Sequence, residues 1–272
     1  MEALTTALTT SLSTLHITKN DKHQDTSRDT SRDTRYTNKL KKIIKIQSWC
    51  RGCIYRLKHL PLIMYKIQKY LQKLIFSFST QNDDGRINSC TDEQNIVKFL
   101  IEKFGKRIKQ ASIRYWYDIL VYDNMYGWIP INIKTTTMTK NDNVGNLAMC
   151  VYAYTDEKLD IHRKQTYANG KMSIVLFNKL KDKNYNKMSK KDYYFLVLNK
   201  TNPADIIVNS VKGLTTLTSN LNNLPFQICW NKNKLFHYDL IDKKIELFIQ
   251  CLQKPKPSWG EKFMSNIRTI EL

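Results

Sequence analysis

The run Trp116-Tyr117-Asp118-Ile119-Leu120-Val121-Tyr122, then Asp123-Asn124-Met125-Tyr126-Gly127, then Trp128-Ile129-Pro130-Ile131-Asn132-Ile133-Lys134-Thr135-Thr136, decides the fold. Two stretches rich in β-branched and aromatic residues flank a segment of turn formers, which is the pattern of a β-hairpin. The first strand reads from Ile113 to Tyr122 and the second from Trp128 to Thr136. Side chains alternate between the faces of a strand, so Asn132 and Lys134 share one face. Asp118, near the start of the partner strand, comes close to both. An aspartate offers a hard oxygen to magnesium, which takes one or two carboxylates together with phosphate oxygens and water. A lysine beside it can orient or help deprotonate an attacking water and offset charge on a phosphorane-like transition state. Together the three residue types suit metal-assisted hydrolysis of a phosphodiester.

Working outward, Asn82-Asp83-Asp84-Gly85 is a turn signal, and Thr91 or Asp92 can cap a helix running to about Phe104. That helix carries Ile96, Phe99, Leu100 and Phe104 on one face, with Gly105 as its stop. Beyond the hairpin, Val144 to Tyr154 reads as a helix, and Ile174–Phe177, Tyr193–Leu198 and Phe226–Trp230 read as short apolar strands. Helices and strands interleave throughout, so residues 80–272 are expected to form one α/β or α+β domain.

With the hairpin in place, Asp118…Asn132-Ile133-Lys134 resembles the signature of PD-(D/E)xK nucleases. More closely, Trp116 to Ile119, Asn132 to Thr136 with the following Asp142-Asn143, and the later Asn223-Leu224-Pro225-Phe226-Gln227-Ile228-Cys229-Trp230 look like type II restriction endonucleases. The resemblance covers about residues 82–265. It implies a restriction-endonuclease-like mixed central sheet flanked by helices, and a Mg2+-dependent, sequence-specific double-stranded DNA endonuclease for which Mn2+ can substitute. Asp118 would then ligate metal, Asn132 and the carbonyl of Ile133 would complete the ligand set, and Lys134 would position the attacking water. Members of the family often place a helical Glu near the metal; Glu93 fits that place, with Asp92 or Glu102 as alternatives. Asn132 stands where the family usually has an acid, and Tyr117 where it often has Pro. For reading bases the candidates are Lys140, Asn141, Asn143, Asn222, Asn223 and Gln227, with Asn220 beside them, since amides meet adenine edges and lysine meets phosphate. A homodimer is implied, because a palindromic site mirrors two-fold symmetry. A repair or junction-resolving nuclease with the same core and a non-cutting basic adaptor are the rival readings.

Residues 1–37 are expected to be a disordered polar tail, built from near-copies of Asp-Thr-Ser-Arg at Asp25, Asp29 and Asp33. Residues 38–79 differ sharply. From Thr34 to Asn82 there is no acidic residue, while lysines and arginines alternate with Leu40, Ile43, Ile44, Ile46, Trp49, Ile54 and Leu57 at helical spacings. Pro61 should interrupt this basic amphipathic helix, with a second helix from Leu62 to about Ile75. Ile46-Gln47-Ser48-Trp49-Cys50-Arg51-Gly52-Cys53-Ile54-Tyr55-Arg56 fits I-Q-x-x-x-R-G-x-x-x-R at every fixed position and resembles an IQ motif. The fixed positions are Ile46, Gln47, Arg51, Gly52 and Arg56. The resemblance implies a calmodulin-like or other EF-hand-type partner for residues 38–60. The alternatives are a helix packed on the nuclease core, a clamp on DNA phosphates, or a membrane-surface helix.

Composition bounds these readings. The chain has 272 residues and a formal net charge of +20, from 44 Lys and Arg against 24 Asp and Glu. Such a balance points to a polyanion, nucleic acid above all. With 42% hydrophobic residues the chain can bury a core, and with 8 Gly and 6 Pro it is no collagen or low-complexity polymer. No apolar run suits a signal peptide or a membrane span, so an intracellular protein is expected, cytoplasmic or a viral product acting there. Cys50 and Cys53 form C-x-x-C with no second pair to complete a zinc site, and the six cysteines read as thiols of a reducing compartment.

Overall fold

The computed structural model describes residues 37–47, 60–74, 76–80, 85–112, 115–144, 147–162, 169–186, 191–220, 225–252, 265–266 and 269. The tail over 1–36 and the IQ-like positions Arg51, Gly52 and Arg56 lie outside them, as do Asn222 and Asn223. The chain divides into two units, Met1–Arg51 and Gly52–Leu272. In the first, residues 37–47 form helix α1, on which Leu40, Ile43, Ile44 and Ile46 are all exposed.

The second unit is an α+β fold built on a five-stranded mixed sheet. Its strands are β1 (Ile108–Gln110), β2 (Ile119–Asp123), β3 (Gly127–Thr136), β5 (Tyr194–Asn199) and β6 (Ile206–Ser210), in the order β1-β2-β3-β5-β6. Only β3 and β5 run parallel; the other neighbours are antiparallel. Parallel strands need a long crossover, and here it holds β4 (Asp142–Asn143), α4 (Leu147–Tyr154) and α5 (Asn169–Lys181). β4 pairs with β7 (Gln227–Ile228) in a separate two-stranded ribbon.

Helices cover both faces of the sheet. On one, α2 (Leu62–Leu71) and α3 (Gly85–Phe104) bury Ile63, Met64, Ile67, Leu71, Ile96, Val97 and Leu100 against Ile119, Val121, Ile131, Ile133, Leu196 and Val208. On the other, α4, α5 and α6 (Ile241–Leu252) pack with Leu120, Phe195, Val197, Ile207 and Trp230. The strands therefore alternate between two apolar layers, as a sheet covered on both faces must. Among the described residues no helix is long and apolar enough to cross a membrane. Cys90, Cys150, Cys229 and Cys251 are thiols outside any disulfide.

The turn and second strand follow the sequence reading, with Asp123 opposite Gly127, whose φ of 75° suits a residue without Cβ. The first strand, expected from Ile113 to Tyr122, is shorter: β2 begins at Ile119, residues 115–118 lie outside any strand, and Ile113 lies outside the described residues. Pro61 stands immediately before α2. Other elements differ. Ile174–Phe177, read as a strand, lies inside α5, where Met172, Leu176 and Leu180 recur every four residues and are buried. The β-branched pair Ile174-Val175 imitates a strand locally, but the wider helical period wins. Phe226–Trp230 supplies only the two-residue β7. Helix α3 starts at Gly85, so Thr91 and Asp92 sit within it rather than capping it. Phe99 faces out at 39% exposure and stacks edge-on against Phe76. The boundary drawn at residues 79/80 leaves α2 outside the domain, whereas α2 supplies part of its core.

Candidate active site

Strand β3 outruns β2. Their pairing ends where Ile119 opposes Ile131, yet β3 continues to Thr136 while β5 accompanies it on the other side. The N–H groups of Ile133 and Thr135 therefore point to the β2 side with no strand to receive them. Backbone donors in an interior seldom stay unpaired, and here two carboxylates face them. Ile133 donates to Asp118 Oδ2 at 2.7 Å, and the Thr135 N–H lies close enough to Glu93 of α3 to lower its carboxyl. Asp118 is fixed in turn, its N–H donating to the Ile131 carbonyl and its carbonyl accepting from Ala111, each at 2.9 Å.

Asp118 stands one residue before β2, just past the last paired position, Ile119–Ile131. Asn132 donates Nδ2–H to Asp118 Oδ2 at 2.8 Å, so the two side chains meet at the end of the pairing. Its Oδ1 is buried and meets no hydrogen-bond partner. A strand residue's N–H and C=O face the same neighbour, which turns the Ile133 carbonyl toward the Asp118 side too. Lys134, half-buried, lies on the same sheet face as Asn132 and acts electrostatically on both Asp118 and Glu93.

Burial dominates the electrostatics. It pushes the Glu93 carboxyl up to about 7, helped by the Asp118 charge and opposed by Lys134, the Thr135 N–H and Lys200. Burial also raises Asp118, against the Ile133 N–H and Lys134. These are acids kept from water at a site with neighbouring cations, the condition under which carboxylates do chemistry or take a metal.

Two residues without an assigned role in the sequence join them. Asp142 of β4, raised by burial, is held down by Thr136, Trp230 and Lys134. Its Oδ2 and Trp230 Nε1 lie near each other without closing a hydrogen bond. Lys200 follows β5, pairs with Asp92 at 3.0 Å, and donates its backbone N–H to the Thr136 carbonyl. No sequence signal pointed to Lys200, because only the parallel β3–β5 pairing brings it to the end of β3. Asp142 stood in the quoted stretch, but an Asn-Asp-Asn run reads first as a turn.

Of the three acidic candidates on α3, Glu93 is the one brought to β3. Asp92 is spoken for by Lys200 and by the Ser79 N–H at 2.7 Å, and Glu102 is exposed. Among the base-reading candidates, Lys140 and Asn141 are exposed between β3 and β4. Asn143 Oδ1 instead accepts from Asn220 Nδ2 at 2.7 Å and Gln227 Nε2 at 3.0 Å, so these amides tie β4 to β7 and its neighbouring loop.

The residues present fit a magnesium ion. Asp118, Glu93, the orphaned Asn132 Oδ1 and the Ile133 carbonyl are all hard oxygen donors near the free edge of β3. Among the described residues no group of three or more His, Cys, Asp or Glu side chains forms a metal cage. Comparison of the chain with protein-family models, curated proteins and solved structures finds no match.

Proposed function

We propose that the chain is a Mg2+-dependent double-stranded DNA endonuclease of the PD-(D/E)xK kind, close to type II restriction enzymes. One observation carries this reading: Asp118 takes the Ile133 N–H in place of β2 along the free edge of β3, bonded to Asn132 and with Glu93 and Lys134 beside it. The net charge of +20 supports a polyanionic substrate.

Asp118, Glu93, Asn132 Oδ1 and the Ile133 carbonyl would hold magnesium, with Mn2+ as a substitute. When bound, the ion supplies Lewis-acid polarisation of the phosphodiester oxygens. Lys134 orients the water whose oxygen adds to phosphorus, and its charge offsets that gathering on the phosphoryl oxygens as one P–O ester bond breaks. Asn132 holds Asp118 in place through Nδ2, and the Ile133 N–H keeps the same carboxylate oxygen aligned. Lys140 and Asn141 are exposed beyond the end of β3 and would meet the duplex. A second copy of the chain completes a two-fold reading of a palindrome, and the protein acts inside the cell. The exposed apolar side chains of α1, set among Lys39, Lys41, Lys42 and Lys45, support an acidic EF-hand-type partner for residues 38–60.

The amide at Asn132 favours a second reading, a basic adaptor that binds DNA without cutting it. Metal-linked stability separates the two. A catalyst gains thermal stability on adding Mg2+, and Asp118→Ala abolishes the gain; an adaptor shows no gain in either form.

A further inference from the structure

The sheet face that carries Asp118, Asn132 and Lys134 also carries an aromatic and cationic cluster at its hairpin end. Directly opposed residues of antiparallel strands share a face. Lys109 opposes Leu120, and Tyr122 opposes Trp128. The two-residue alternation then sets Lys109, Tyr122 and Trp128 on the face of Asn132 and Lys134. The Tyr122 and Trp128 rings lie 5.3 Å apart at 62°, and Lys109 Nζ sits 4.2 Å over the indole. His162 meets the same indole edge-on at 6.4 Å. Tyr122 is 38% exposed, Lys109 and His162 are exposed, and Lys106 and Arg107 are exposed just before β1.

An exposed tyrosine beside a half-buried indole, with cations around both, matches one part of a nucleic acid. In a duplex the bases stack on each other and offer a protein only their edges. An unpaired base offers its face, and stacking on aromatic side chains with basic residues along the backbone is how single strands are held. Lys109 now occupies the electron-rich face of the indole. A base arriving there displaces the amine, which is then positioned for that nucleotide's phosphate. At about 3.3 Å per strand residue, Trp128 lies roughly 13 Å along β3 from Asn132, about four duplex steps.

We infer that Tyr122, Trp128 and Lys109 form a stacking platform for an unpaired nucleotide, so that the DNA this protein engages carries a single-stranded segment next to duplex. The inference rests on the nuclease reading only for where cutting occurs.

The test uses the full chain in EDTA, so that binding is read without cleavage. Fluorescence anisotropy compares a blunt duplex with the same duplex carrying a short unpaired thymidine tail. The wild-type chain should bind the tailed duplex at least about fivefold tighter, the lower end of what one stacked base contributes. Tyr122→Ala and Lys109→Ala should lose that preference, and Trp128→Phe, which keeps a ring, should retain most of it. Equal binding of the two DNAs by the wild-type chain, a preference untouched by Tyr122→Ala, or no binding of either DNA overturns the inference. Cleavage in Mg2+ separates the two ideas. Cutting without any preference for the tail leaves the nuclease and removes the platform; preference without cutting does the reverse.

Discussion

Asn132 gives its Nδ2 hydrogen to Asp118 Oδ2 at 2.8 Å while its own Oδ1 stays buried and unpartnered. A buried acceptor without a partner costs on the order of 1–3 kcal/mol. Within a fold that satisfies the neighbouring Ile133 N–H with the same carboxylate, that cost makes sense as preparation for a ligand that takes oxygen donors.

Asn132→Asp tests this directly. The substitution removes the donor to Asp118 and sets two carboxylates against each other, so without metal the variant should lose about 1–3 kcal/mol of stability. Saturating Mg2+ should return more of that loss than the same ion adds to the wild-type chain. Thermal unfolding with and without Mg2+ measures both.

Glu93 makes a pH-dependent prediction. Its carboxyl titrates at about 7 in the folded chain instead of 4.5. The folded state thus holds that proton more tightly, and the stabilisation this confers is full below about pH 4.5 and lost as pH rises through about 7. Glu93→Gln lacks the loss. Without metal, the variant's stability relative to wild type should rise by up to about 3 kcal/mol between about pH 5 and about pH 8. Saturating Mg2+ at the higher pH should narrow the difference, since the ion favours the charged carboxylate. Urea unfolding at the two pH values follows it.

The packing of α2 under the sheet has its own consequence. Ile67 is fully buried and Leu62 is 62% exposed on the same helix. Ile67→Ala should cost about 2–5 kcal/mol, whereas Leu62→Ala should change stability by no more than about 0.5 kcal/mol.

The turn and second strand were legible because alternation, turn chemistry and β-branched residues agreed over one short stretch, and the shared face of Asn132 and Lys134 followed from that alternation alone. The first strand was read too long, because residues 115–118 carry the same residue types without a partner strand to pair with. The place of Glu93 came from a family resemblance; its physical basis is visible only once β3 is seen to outrun β2 and leave the Thr135 N–H free. Lys200 needed the β3–β5 pairing, a contact between residues far apart in the chain. Helix α6 carried a readable signal, Ile241, Ile245, Phe248, Ile249 and Leu252 at helical spacing, but it stood outside the stretch that set the fold. Strand β6 is five residues long and fully buried, and such short runs do not separate strand from helix by period.

Helix α1 yields a prediction independent of the site. At moderate salt the full chain should bind calmodulin through the exposed face of Leu40, Ile43, Ile44 and Ile46, and Arg51→Ala should weaken that binding. Binding measured by calorimetry that Arg51→Ala leaves unchanged would sink the IQ reading.

The most direct measurement is cleavage. Purified chain is incubated with plasmid and linear DNA in Mg2+, in Mn2+ and in EDTA, beside Lys134→Ala and Asp118→Ala. Discrete fragments that need the metal and vanish in both variants are the predicted result. Intact DNA in every lane, with a salt-sensitive gel shift, would contradict the nuclease and leave a basic DNA-binding protein whose Asn132 no longer supports chemistry.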